Sequence, residues 1–192
     1  MPEIDVPKKQ MIMEAAAGLF RDRGYAATSM RDLAKAVHLQ ASSLYNHIKS
    51  KQGLLKDICF QNAQHFLQGI EQIESSHDSP VQQIEQLILL HLEIVSTDAT
   101  SVTSFNDEWR HLDEPSLSEY IQLRKRYEKR FKAVLDAGIE QGVFLEVDTT
   151  VAMNTILSSL RWVYDWYQPE HKASLETIGY SITRMLLGGL QK

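Results

Sequence analysis

TSMRDLAKAVHLQASSLYNHIKSK, residues 28–51, holds two short apolar helical patterns separated by a pause. Met30, Leu33, Ala34 and Val37 recur at the spacing of one helix face. Thr28 and Ser29 stand just before them, as a polar cap would. The pattern pauses at His38, Leu39 and Gln40 and resumes with Leu44, Tyr45 and Ile48, until Lys49, Ser50 and Lys51 interrupt it. This predicts a second helix of about two turns. Two short amphipathic helices joined by a tight turn are the layout of a helix-turn-helix, whose second helix lies in the major groove of DNA.

On the amino-terminal side of that stretch, an apolar stripe of Ile12, Ala15, Ala16, Leu19 and Phe20 predicts a first helix from Lys8 or Lys9 to Arg23, closed by Gly24. Its stripe must cover the two short helices, so it is not the reader. Ser50 caps a long fourth helix carrying Leu54, Leu55, Ile58, Phe66, Leu67, Ile70 and Ile73. At about 1.5 Å per residue it is long enough to act as a mechanical link from head to body. Residues 75–80 read as a loop, with Ser79 as cap and Pro80 as the first helical residue. A helix follows through Ile84, Leu87, Ile88, His91 and Val95, then a polar stretch, then a brief helix over 102–112. Pro115 opens a long helix that Gly142 closes, with Leu123, Tyr127, Phe131 and Val134 as its buried stripe. Asp148 or Thr149 caps a helix from Val151 to Tyr167 that is apolar nearly all round and is expected to be buried on every side. A last helix runs from Ser174 to Leu190. The expectation is an all-α protein of about nine helices. It divides into a three-helix head, residues 1–50, and a helical ligand-binding and dimerisation body, residues 51–192.

Composition bounds the class. The chain has 192 residues, 43% hydrophobic and 23% charged, as an ordinary globular protein does. No apolar run approaches a membrane span and the amino terminus carries no hydrophobic signal core, so a cytoplasmic location is expected. The single cysteine, Cys59, has no internal partner for a disulfide, and its neighbours Ile58 and Phe60 suggest a packed, reduced thiol. The net charge of −5 is uneven: residues 1–55 hold eight Lys or Arg against five Asp or Glu, so this part is +3 and the remainder −8. A basic head on an acidic body suits a module that meets phosphates beside one that does not.

Residues 15–55, AAAGLFRDRGYAATSMRDLAKAVHLQASSLYNHIKSKQGLL, resemble the TetR family of bacterial one-component transcription regulators. The likeness lies in the Ala-Ala-x-x-Leu-Phe run, the Gly-Tyr after helix one, Thr-Ser before helix two, the Leu-Tyr-x-His core of helix three, and Ser-Lys opening helix four. Two positions depart from the family. His38 occupies the turn where glycine is usual, and Gln40 replaces a small hydroxyl cap. The body segments 106–131, 137–144 and 160–190, above all Trp162-x-x-x-Trp166-Tyr167-x-Pro169, resemble the subgroup whose effectors are acyl-CoA thioesters, the regulators of fatty-acid, phenylacetate or steroid degradation.

The resemblance implies a homodimer that binds a palindromic operator in double-stranded DNA and is released by a small molecule. In the reading helix Gln40, Ala41, Ser42, Ser43, Tyr45, Asn46 and His47 would face the groove or its walls. Gln40 and Asn46 can each offer adenine a bidentate donor and acceptor, while Tyr45 and His47 would touch phosphate. Thr28, Ser29 and Lys51 lie at helix amino termini, where an anion is favoured. For an acyl-CoA, Tyr127, Trp162 and Trp166 would line a dry tunnel, Arg110, Arg124, Arg130 and Arg161 would supply cations, and Trp109 would stand at its mouth. The bland alternatives are a core role for Trp109 and an ion pair from Arg110 to Asp107 or Asp113. No cofactor is implied. His65, His91 and His111 come from separate helices without close ligand spacing, which speaks against a metal. Nothing in the sequence assembles a catalytic triad, phosphate loop or carboxylate pair. Rival readings are a sensor of another apolar molecule, such as a drug or signalling lipid, and a carrier or enzyme that holds acyl-CoA.

Overall fold

The computed structural model describes residues 6–166 and 174–191, with side chains for all of these except 6, 7, 95–101, 103, 104, 164–166 and 175. Its elements are α1 (Val6–Arg23), α2 (Met30–Ala36), α3 (Ala41–Leu44), α4 (Lys51–Ser75), α5 (Pro80–Glu108), a 3-10 turn at Trp109–His111, α6 (Ser116–Glu140), α7 (Thr149–Trp166) and α8 (Leu175–Gly188). Among the described residues the protein is all helical apart from one isolated bridge pairing Phe144 with Gln191. None of these helices is long and apolar enough to cross a membrane.

The head forms as its stripes require. Ile12, Ala16 and Phe20 of α1 are buried with Leu33, Ala34 and Val37 and with Leu44 and Ile48. Ser29 caps α2 in a reciprocal box with Asp32, whose carboxylate accepts the Ser29 amide at 2.9 Å while the Ser29 hydroxyl accepts the Asp32 amide at 3.2 Å. α2 ends with His38 in the left-handed region, φ 54°. The Leu39 amide donates to the Ala34 carbonyl at 2.9 Å and the His38 amide to the Lys35 carbonyl at 3.2 Å, the pattern of a Schellman cap. Histidine thus occupies a backbone position at which glycine is unstrained. α3 is shorter than its sequence pattern suggests, one α-helical turn followed by tighter bonds such as Asn46 N–H to Ser43 O at 3.2 Å. Gln40 gives it no side-chain cap, and Ser42, Ser43, Asn46 and His47 are poor helix formers.

Packing divides the molecule into two compact units, Met1–Ala63 with Thr100–Ile121, and Gln64–Ala99 with Gln122–Lys192. It therefore groups the head with the first half of α4 and with residues 100–121, whereas the chain division drawn from sequence falls at residue 50. α5 is also a correction. It runs unbroken to Glu108 in place of two helices, because no glycine or proline follows Pro80 until Pro115 and polar residues alone lower helix propensity by fractions of a kcal/mol each. The predicted caps at Ser50 and Ser79 form, Asp148 and not Thr149 caps α7, and Ser174, read from the sequence as the first residue of the last helix, is its cap. Gly142, at φ 71°, lies just beyond α6. α7 is not covered all round by its own chain. Val151 is 64% and Trp162 62% exposed, and on α8 Tyr180 is 63% and Met185 79% exposed. Pro169 and Tyr167 lie outside the described residues.

The left-handed turn yields a measurable expectation. His38→Gly should raise the unfolding free energy by about 1 kcal/mol through relief of the φ penalty, without changing the DNA sequence selected. Chemical denaturation checks the first part. A change in selected sequence would show that the turn itself reaches DNA.

Candidate nucleic-acid interface and effector residues

In the reading helix, Leu44 and Ile48 point into the head and fix its rotation. That leaves Gln40, Ala41, Ser42, Tyr45 and Asn46 exposed, with Ser43 and His47 half-buried. The small residues are at its start, where the helix can approach a groove closely. Arg31, Lys35 and Lys49 are exposed cations of the same head.

Thr28 and Lys51 are engaged differently from the sequence expectation. Thr28 is 2% exposed, and its hydroxyl points to the carbonyls of Gly24 at 3.0 Å and Leu19 at 3.3 Å, closing the end of α1. The Lys51 ammonium donates to the carbonyls of Tyr25 at 2.9 Å and Thr28 at 2.8 Å and lies 4.1 Å from the centre of the Tyr25 ring. Both groups brace the α1–α2 loop. Ser29 holds the Asp32 carboxyl below its ordinary value through its side-chain and then its backbone hydrogen bond. The anion-attracting end of α2 is therefore already occupied by a carboxylate.

Further along the same unit, Trp109 packs on Tyr120 with ring centroids 5.6 Å apart, and the Arg110 guanidinium lies 4.6 Å from the Trp109 ring. His111 stacks on Tyr25. Cys59 is buried, and burial, with the charge of Glu108 beside it, pushes its thiol up to about 12, so it stays protonated and unreactive.

The second unit holds a polar pair inside an aromatic box. His91 Nε2 lies 2.8 Å from the Tyr127 hydroxyl, and both rings pack against Phe66, at centroid distances of 4.5 and 5.8 Å. Phe131 lies edge-on to Tyr127, with ring centroids 6.2 Å apart. The sequence expectation placed Tyr127 on a tunnel wall and missed His91 as its partner. The available signal was His91 at helical spacing in the stripe of Ile84, Leu87 and Ile88. Arg130, expected to meet phosphates, is ion-paired with Glu71 at 3.0 Å and with Glu74, and Arg126 also reaches Glu71 at 3.3 Å. Arg124 lies 3.6 Å from Glu128. Arg161 and Trp162 are exposed on α7, and the Trp166 side chain lies outside the described residues. Trp109 and Arg110 belong to one unit and Arg124, Tyr127, Arg130, Arg161 and Trp162 to the other. Among the described residues no three His, Cys, Asp or Glu groups come together as a metal site.

Burial pushes His91 down from its ordinary 6.5 to about 3, so it is neutral in the folded protein. Between those values an unfolded histidine binds a proton that the folded one does not. The contribution is therefore intact above pH 6.5 and is lost as the pH falls toward 3. His91→Gln, which keeps a hydrogen-bonding group without the titration, should flatten the acid limb of stability against pH by up to one proton, about 1.4 kcal/mol per pH unit. An unchanged limb in denaturant titrations at stepped pH would contradict the neutral buried histidine.

Comparison with known proteins agrees with this anatomy. Residues 12–58 match the family described as bacterial regulatory proteins, tetR family, and residues 77–190 match the tetracyclin repressor-like C-terminal domain. The HTH-type transcriptional repressor KstR2 of Mycolicibacterium smegmatis is 26% identical over 194 residues, covering 98% of this chain and 93% of the relative. The structure of the ketosteroid transcriptional regulator KstR2 of Mycobacterium tuberculosis superposes with a TM-score of 0.91 at 25% identity, covering 96% of this chain and 95% of that one. That of AibR in complex with isovaleryl coenzyme A and operator DNA superposes with a TM-score of 0.82 at 25% identity, covering 94% and 98%.

Proposed function

Because this chain belongs to the TetR family of DNA-binding transcription regulators, we propose that it is a cytoplasmic repressor that holds a palindromic operator as a homodimer and leaves it when an acyl-CoA thioester binds. The observation that carries the reading is the presentation of α3. Two buried anchors, Leu44 and Ile48, and the left-handed turn at His38 aim a polar, small-residue face outward. Gln40 and Asn46 read adenine edges, and Tyr45 and His47 meet the groove walls. Lys49, Arg31 and Lys35 supply the phosphate contacts, while Ser29 is left with its backbone role and Thr28 and Lys51 hold the loop behind.

The dimer accounts for the apolar surface of α7 and α8. Val151, Trp162, Tyr180 and Met185 would be costly to leave in water, and a groove of about 460 Å³ lined by Val151, Ile156, Met185 and Leu186 lies between the start of α7 and the end of α8. A second copy related by a two-fold axis covers the same patch on both subunits and sets two reading helices one DNA turn apart or somewhat further. Trp162 fits that face better than an acyl tunnel. Release is a population shift, in which the effector binds better to a head spacing that does not match the operator.

The acyl-CoA assignment is supported by the resemblance of 160–190 and by the AibR structure, whose complex contains isovaleryl coenzyme A. Arg124 and Arg161 of the second unit would meet its phosphates, Arg124 by leaving Glu128, and Arg130 would join them only by leaving Glu71 and Glu74. That pairing favours, as a second reading, a neutral apolar effector that asks nothing of Arg130.

One experiment in two arms tests this. Selection from random double-stranded DNA should enrich one palindrome, and Gln40→Ala or Asn46→Ala should relax the base preference at one position per half-site by about 1–3 kcal/mol. A panel of acyl-CoAs should raise the melting temperature and release the palindrome where the free acids do not. Binding without sequence preference would sink the repressor and favour a carrier or enzyme. A response to neutral apolar compounds alone would move the effector to the second reading.

A further inference from the structure

On α7 the exposed residues Val151, Thr155, Ser158 and Trp162 form one stripe. At about 3.6 residues per turn they lie within about 60° of one another around the helix. Apolar side chains stand at the two ends and small ones between them. The Thr155 hydroxyl donates to the Val151 carbonyl of its own helix at 2.9 Å, so it keeps a partner when it leaves water. The intervals along the stripe are four, three and four residues, the same read from either end. Its two ends differ in shape. Val151 borders the groove between the start of α7 and the end of α8, whose walls include Met185 and Leu186. Trp162 stands about 16 Å further along the helix and is exposed. One face therefore carries both a hollow and a protrusion.

A stripe with symmetric spacing fits a copy of itself under a two-fold axis that crosses α7 between Thr155 and Ser158. The two helices then run antiparallel. Thr155 meets the partner's Ser158, where small side chains let the backbones approach, and Trp162 meets the partner's Val151 and the groove beside it. An axis along α7 would instead run the helices parallel, set Trp162 against the partner's Trp162, and leave both hollows empty. Interface cores pack as densely as protein interiors, which favours the arrangement that fills the hollow. Tryptophan is among the side chains enriched as interface anchors, seated in a pocket and ringed by contacts of lesser energy. Met185, exposed on the groove wall, has the flexible thioether that adapts to an aromatic edge.

We propose that the groove beside Val151 is a binding site for the indole of a second copy, each protomer seating its Trp162 in the groove of its partner while α7 crosses its copy antiparallel. The site is incomplete in one chain, and the partner supplies the residue that fills it. The proposal rests on the chain being a homodimer and is independent of the operator sequence and of the effector. Because the contact is reciprocal, one substitution at Trp162 empties two grooves.

Sedimentation of the full chain across a dilution series measures the dimer dissociation constant. Trp162→Ala should raise it about a thousandfold, two anchors contributing about thirtyfold each, with helix content by circular dichroism unchanged. Val151→Trp alone crowds the groove and should also weaken the dimer. The double variant Val151→Trp/Trp162→Ala moves the bulk to the opposite end of the stripe and should recover about a hundredfold of the lost affinity, because position 151 faces position 162 of the partner only in the antiparallel pairing. An unchanged constant in Trp162→Ala overturns the proposal and leaves the groove to another occupant. A loss that the double variant fails to rescue overturns it as well. If Trp162→Ala loses helix content, Trp162→Leu, alone and with Val151→Trp, decides by the same two outcomes. A parent chain that sediments only as a monomer would overturn the homodimer reading and this proposal with it, whereas a parent dimer indifferent to Trp162→Ala overturns the proposal alone.

Discussion

One ammonium group holds the reading head together where it meets the rest of the chain. Lys51 is the first residue of α4, and its Nζ closes on the carbonyls of Tyr25 and Thr28 under the Tyr25 ring. Hydrogen bonds from a charged donor contribute roughly 1.5–3 kcal/mol each, more than neutral ones. Two of them from a single side chain, with a cation–π contact, fasten the α1–α2 loop to the start of α4. The Thr28 hydroxyl fastens the same loop to the end of α1. The Ser29 box, the burial of Leu33 and the His38 turn then follow in order, and α3 is carried to its position by them.

Much of this was legible in the sequence because it is local. Caps announce themselves by a Ser or Asp a few residues before an apolar stripe, and the stripes of α1, α2, α4 and α6 repeat at one helix face. The left-handed position at His38 was legible only through the family resemblance, in which glycine is usual at that turn; the apolar pattern alone marks a pause over three residues. The length of α3 was not. It depends on an absent cap hydrogen bond at Gln40 and on several weak propensities acting together.

What stayed hidden are pairings between residues far apart in the chain. Lys51 and Thr28 look like phosphate ligands until tertiary packing brings carbonyls to one and buries the other. Arg130 looks like a spare cation on an apolar face, but Glu71 and Glu74 from α4 neutralise it. Periodicity placed His91 and Tyr127 on buried stripes of two helices without indicating that they meet. α5 failed for a different reason: a polar stretch suggests a loop, yet without a glycine or proline the backbone has nothing to stop it.

Lys51 is an internal brace where its charge and place suggest a phosphate contact, and this distinction is measurable. Each lysine that neutralises a phosphate adds about 0.9 to the slope of log affinity against log salt concentration. The decisive measurement is that slope for the selected palindrome in the parent, Lys51→Ala and Lys49→Ala proteins. The structure predicts that Lys51→Ala lowers head stability and affinity with the slope unchanged, whereas Lys49→Ala lowers the slope by about 1. A slope reduced by about 1 in Lys51→Ala, with the stability of the head intact, would contradict the account.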